Sequence, residues 1–287
     1  MEKAGYPAKI LAVTAAFRNI RRHLFIIIGL AILLLIVVCA IIAPFVYELG
    51  PLEIAIQNRL QGPSSTNVMG TDEFGRDIFS RTCYGVRVSL EIGIIVTLLT
   101  TIFGGLLGLV SGYYRLVDAI VSRIIDGLMA FPEIILAITI AAVWGSGEFN
   151  IIIALTFAYF PKMTRVVRAS VLSLKPLEYI ESGRAIGAGN FQIIFRYILV
   201  GCISPIIVQA TFCFASAILA EAALSFLGVG IMEPQPSLGG MVSSGRKFMS
   251  IAPWIVIFPG GVIMMVVLGL SILGDGLRDL FDPKLKS

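Results

Sequence analysis

The chain has 287 residues, a formal net charge of +4, 57% hydrophobic but only 14% charged residues, and a mean hydropathy of +0.93. So few charges cannot clothe a soluble globule of this length, and composition places the chain among membrane proteins. The small net charge, with no basic run interleaved with aromatics, argues against a nucleic-acid partner.

In chain order, Arg18, Arg21 and Arg22 precede residues 24–43, which are 20 consecutive uncharged residues. That exceeds the 7–15 of a signal-peptide core and spans about 30 Å as a helix, so it reads as a retained transmembrane helix. A polar stretch containing Pro and Gly follows at 47–87. Five further apolar segments lie at 88–112, 124–144, 151–167, 198–228 and 251–273, with a second polar loop at 229–250. The expected fold is therefore an all-α polytopic membrane protein with about six transmembrane helices. Its parts are an N-terminal segment with the first span and loop (1–87), a core (88–273) and a tail (274–287). No internal repeat is visible.

Orientation follows from the loop cations, which concentrate on the cytoplasmic side of membrane proteins. With the N-terminus inside, 16 of the 22 Lys and Arg fall on inner segments (1–23, 112–123, 162–197 and 274–287). Both termini and the 172–197 loop are then expected in the cytoplasm.

Several chemistries lack their parts. There is no P-loop motif, so the chain is not expected to hydrolyse nucleotides itself. The single histidine, His23, sits at the inner mouth of the first span and leaves no base for a Ser–His dyad or a metalloprotease motif. No carboxylate or Cys/His cluster has metal-ligand spacing, and the four cysteines, Cys39, Cys83, Cys202 and Cys213, show no C-x-x-C pattern. An enzyme is not expected. Acids inside a bilayer are costly and ask for a role, and Glu91, Asp126, Glu133 and Glu221 qualify. Glu133 and Glu221 are candidates for lining a translocation path; a satisfied interhelical contact is the plainer alternative.

Residues 178–190, "EYIESGRAIGAGN", are a polar, small-residue patch in this apolar chain. Pro176 before Glu178 and Glu181 suits a helix start. The apolar spacing fits two short amphipathic helices broken around Gly187–Asn190. Gly183 and Gly187 leave a smooth face on which another backbone can approach. The expectation is a docking element on the cytoplasmic face, against the alternative of an ordinary loop.

"ESGRAIG" at 181–187 resembles the E-A-A-x-x-x-G coupling loop of ABC importer permeases. Glu181 and Gly187 match, Ser182 and Gly183 stand where alanines are usual, and Arg184 and Ala185 lie between. Val200 replaces the family's later Pro. "MGTDEFGRDIFSRTCYGVRVSL" (69–90) closely resembles a block of peptide- and nickel-type importer permeases, carried here by Gly70, Thr71, Asp72, Gly75, Arg76, Asp77, Ser80 and Arg81, among others. "EAALSFLGVGIMEPQPSLGGMV" (221–242) is similar to a second such block, with Leu238 for the usual Trp. Its literal Glu-Ala-Ala is not the coupling loop, since Gly228 comes one residue late and the segment ends on the outer side.

The resemblance implies a type I ABC importer permease fold, with a coupling helix between the fourth and fifth spans. It implies the C-type subunit of a carrier for di- or oligopeptides, or for a nickel complex or glutathione, in a bacterial inner membrane. The implied partners are a homologous B-type permease, two cytoplasmic ATPase subunits and an extracytoplasmic binding protein. The chain itself would bind no cofactor, and its partners would hydrolyse the ATP. The 69–90 block would cap the outer gate, contact the binding protein, or brace the loop. The rival is an ATP-independent secondary transporter, which would usually show repeats and midplane charges.

Overall fold

A computed structural model describes residues 24–42 and 50–281. The N-terminal basic cluster, His23 and the last six residues lie outside the described residues. Eight further helices follow α1 (Leu24–Ile42) among the described residues. They are α2 (Ile78–Tyr113), α3 (Arg115–Met129), α4 (Glu133–Trp144), α5 (Glu148–Leu174), α6 (Glu178–Ala185), α7 (Asn190–Phe226), α8 (Leu238–Gly245) and α9 (Trp254–Phe281). No strand occurs among these residues beyond an isolated bridge between Thr71 and Asp77. All six predicted apolar segments are helical, as expected for an all-α polytopic protein.

Three boundaries differ from the sequence reading, each for a physical reason. The second span begins at Ile78, ten residues before 88, because Asp77 caps the helix by accepting the Ser80 amide at 2.8 Å. At 36 residues α2 is about 54 Å long and outreaches a bilayer core. The predicted inner loop at 112–123 is instead helical. Only Tyr114 separates α2 from α3. The third span is not one rod. Pro132 disfavours helical backbone at Phe131 and has no amide to donate, so α3 and α4 meet at a bend of 87°.

Among the described residues, length and composition alone mark four helices as spans, or five with the bent pair counted as one. The remaining segment, α5, has 27 residues but carries Lys162, Arg165 and Arg168 in its second half. Each of these meets an acid on the bent pair. Lys162 Nζ lies 3.3 Å from Glu133, Arg165 Nη2 is 2.5 Å from Asp126, and Arg168 donates to both oxygens of Asp118, at 2.8 Å from Nη2. A ladder of three ion pairs thus fastens α3 and α4 to α5.

The bundle is built around α2. Its most extensive partner is α5, and glycine explains why. Gly104, Gly108 and Gly112 recur every fourth residue, so they line one face of α2. A Cβ there would fall 2.8 Å from the Phe160 carbonyl, 2.7 Å from the Thr164 carbonyl and 3.1 Å from the Arg168 carbonyl, respectively. The two backbones touch because those side chains are missing. Ile92 and Val96 of α2 join Ile151, Leu155 and Ala158 of α5 and Ala217 and Leu224 of α7 in the main core. Nearer α6, Leu109 and Tyr113 join Met163, Val167 and Val171 around Ile180 and Ile193. On the other side of α2, α1 lies along α9, with Gly29 against the Gly269 carbonyl. Arg87 of α2 donates to the Ala40 and Ile41 carbonyls at 2.7 and 2.9 Å, neutralising the negative end of α1.

Candidate functional site

The patch that stood out in the sequence folds as α6, a two-turn helix between α5 and α7. Glu178 and Glu181 occupy its first turn and Arg184 its last, each sign placed where the helix dipole favours it. Gly187 ends it at φ +88°, a conformation that penalises a side chain. The Gly187 amide donates to the Arg184 carbonyl at 2.9 Å and the Ala188 amide to the Gly183 carbonyl at 3.1 Å, which together close the helix in a Schellman motif. The predicted break at Gly187–Asn190 is therefore present. The predicted second short helix is not separate, since residue 190 opens α7, passes through a π-helical turn at Ile193–Ile198, and runs on to Phe226.

The two glycines do not form a smooth outer face. Gly183 is buried and points at this chain's own α7, with Ile193 at 3.1 Å and the Tyr197 ring at 3.3 Å. Gly187 lies past the helix end. The outward face instead carries Glu181, Ser182, Arg184 and Ala185, all exposed, next to Ile186 at 79% and Phe191 at 75% exposure. Ile180 is the fully buried anchor beneath.

A groove of about 830 Å³ runs up from the α6 end between α5, α7 and the last turn of α9. Its polar lining comprises Lys162, Ser204, Gln209, Ser216 and Arg278, with no acid. Pro205, also in the lining, has no amide for the carbonyl of Gly201 four residues earlier. Gly201 itself lines the groove.

The two candidate path acids are placed differently. Glu133 lines a separate pocket of about 220 Å³ at the α3–α4 bend, where Lys162 borders both spaces. Glu221 is in neither: it is fully buried between α2 and α7, accepting from Ser89 Oγ at 2.6 Å and Ser225 Oγ at 2.9 Å. It belongs to the helix contact rather than to the groove surface. Its segment, 221–228, sits at the end of α7 remote from α6.

At that remote end the 69–81 block folds into a self-bonded knot. Asp72 accepts the amides of Phe74 and Arg76 at 2.8 and 2.9 Å and the Arg76 guanidinium at 2.6 Å. Arg81 approaches Asp72 at 3.6 Å, and both arginines reach Glu233 of the 229–237 loop, at 3.4 and 3.7 Å. Asp77 caps α2 and accepts from Asn67 at 2.8 Å. Thr71 is fully buried, and its carbonyl accepts the Trp254 indole N–H at 3.2 Å. Gly75, at φ +73°, would put a Cβ 1.8 Å from the Ala55 carbonyl, and Gly70 presses on Trp254. Burial disfavours the charge of Arg76, but Asp72 and Glu233 outweigh it and hold its pKa above the ordinary value.

Sequence reasoning missed the Gly104/Gly108/Gly112 face and the ion-pair ladder. The glycine spacing was legible, whereas the ladder depended on knowing which helix lies against α5.

Comparison with known proteins agrees with this architecture. Residues 89–287 match the family described as binding-protein-dependent transport system inner membrane component, and residues 14–63 match the N-terminal transmembrane domain of oligopeptide transport permease C. A dipeptide transport system permease protein, DppC, of Alkalihalophilus pseudofirmus is 47% identical over 95% of this chain and 90% of its own length. A glutathione transport system permease protein, GsiD, of Pectobacterium atrosepticum is 44% identical over 94% and 90%. The inward-facing MetNI methionine ABC transporter matches 67% of this chain and 91% of its own, at a TM-score of 0.53 and 21% identity, and so shares the fold. None of this supports a secondary transporter. The chain belongs to the binding-protein-dependent transport system inner membrane components, the multi-pass permease subunits of ABC importers.

Proposed function

We propose that this chain forms half of the membrane path of a peptide importer and performs no covalent chemistry. A homologous permease supplies the other half, two cytoplasmic ATPase subunits drive the pair, and an extracytoplasmic binding protein delivers the solute. The chain lies in a bacterial inner membrane with both termini and α6 in the cytoplasm, a reading supported by the bias of Lys and Arg toward the α6 side.

The observation that carries the substrate class is the groove. Arg278, with Lys162 shared with Glu133, offers positive charge to a carboxylate, while Gln209 and the serines offer hydrogen bonds to a peptide backbone. The relatives named for dipeptide and for glutathione, itself a tripeptide, carry solutes of that chemistry. The exposed face of α6, with Glu181, Ser182, Arg184 and Ala185 beside Ile186 and Phe191, is the ATPase contact. Closure of the ATPase dimer on ATP displaces α6 and biases a two-state bundle between outward- and inward-open forms. The knot carried by Gly70, Thr71, Asp72, Gly75, Arg76, Asp77, Ser80 and Arg81 braces the outer loop, since its polar groups are spent on one another.

The test is uptake of a labelled dipeptide into proteoliposomes holding the assembled complex, with the binding protein outside and ATP at the α6 face. Uptake should need both, and the C-terminally amidated dipeptide should enter more slowly. Equal uptake without ATP would refute the reading.

A further inference from the structure

Tyr113, the last residue of α2, is almost fully buried, and groups from three other elements converge on it. Its hydroxyl donates to Asn190 Oδ1, at the first residue of α7, over 2.7 Å. Its backbone carbonyl accepts Lys175 Nζ, just past the end of α5, at 2.8 Å. The Lys175 ammonium lies 5.3 Å from its ring centroid, and the Arg184 guanidinium, from the last turn of α6, lies at 5.7 Å. Both distances suit a cation–π contact.

The chain links α6 to α5 and α7 through short turns, at Lys175–Leu177 and at Ile186–Gly189. A displacement of α6 passed through those turns alone would be absorbed as hinge rotation, with Gly187 the freest joint. Besides the apolar packing of Ile180 and Gly183, Tyr113 closes a polar route from α6 into α2, the helix against which both α5 and α7 pack. We propose that Tyr113 is a positioning residue of the transport cycle, carrying the movement of α6 into α2 and the start of α7. This rests on the reading of α6 as the ATPase contact.

The experiment measures solute imported per ATP hydrolysed by the complete complex in proteoliposomes. Tyr113→Phe keeps the ring and loses the bond to Asn190, so import per ATP should fall about fivefold, the worth of one net hydrogen bond. Asn190→Ala should cause the same loss, and the double variant no further loss, because both remove one bond. Tyr113→Leu, which also removes the cation contacts, should fall further while ATPase subunits stay bound and active. Unchanged import per ATP in these variants overturns the proposal. So does a loss confined to the amount of assembled complex, which a merely structural tyrosine would give. If Tyr113→Leu does not assemble, the Tyr113→Phe and Asn190→Ala pair decides, and additive losses would overturn the shared route. Glu181→Lys, assayed alongside, separates the two readings: full retention of the ATPase subunits there would defeat the docking assignment itself.

Discussion

Substituting Gly108 by alanine tests the packing of α2 on α5 where the two backbones come closest. An added Cβ would sit 2.7 Å from the Thr164 carbonyl oxygen and 2.7 Å from Val167 Cβ. Ordinary contact needs about 3.5 Å, so the helices must part by several tenths of an ångström along a seam where Gly104 and Gly112 keep them close. Overpacking of this kind costs about 1–3 kcal/mol. Gly105 is the built-in control, being on the same helix but with nothing within 4 Å of its Cβ. Alanine there gains helix propensity worth up to about 1 kcal/mol. That gain is common to both variants, so they should differ by the overpacking cost alone, about 1–3 kcal/mol. Unfolding of the purified chain in mixed micelles, followed by circular dichroism against the fraction of denaturing detergent, reads the difference. Gly108→Ala should lower the midpoint and Gly105→Ala should hold or raise it. Equal shifts in both would mean that the glycine spacing is incidental to the helix contact.

Two predictions concern the knot at residues 69–81. Asp72→Ala leaves the buried Arg76 and Arg81 with the half-exposed Glu233 as their remaining ion-pair partner, and loss of a buried charge partner costs about 3–5 kcal/mol. Its unfolding midpoint should drop well below that of Asp72→Asn, whose amide oxygen still accepts from Phe74 and Arg76. The other uses pH. Burial, with the carboxylates of Asp72 and Glu233 adding to it, raises the Glu73 pKa above its ordinary 4.5 despite Arg76, and its Oε2 is buried without a hydrogen-bond partner. The folded state then binds the proton more tightly than the unfolded state. Stability is lost as pH rises from 4.5 through the raised value and stays lost above it. Glu73→Gln should accordingly be more stable than wild type at neutral pH, with the advantage gone below pH 4.5 in a thermal-unfolding series.

The spans and the break at Gly187 were legible because both are local. Twenty apolar residues have few ways to avoid a bilayer, and a glycine at a helix end needs no distant partner. The 87° bend was half legible: Pro132 announced an interruption, but nothing near it in the chain states an angle. Arg165 and Arg168 looked like loop cations, and only the packing of α3 on α5 turned them into ion-pair partners of Asp126 and Asp118. Glu221 reads in sequence as an intramembrane acid, yet Ser89, 132 residues away, hydrogen-bonds it in the core. Gly183 misled for a similar reason, since the small residue serves this chain's own Tyr197 rather than a partner.

The central claim is that α6 docks the ATPase, and co-purification tests it most directly. The tagged chain, extracted gently from its native membrane as wild type and as Glu181→Lys, is analysed for bound subunits. Wild type should bring down a P-loop ATPase and a second permease, and Glu181→Lys should lose the ATPase while keeping the permease. An ATPase retained equally by both variants, or absent from a wild-type chain that still imports solute without ATP, would contradict it.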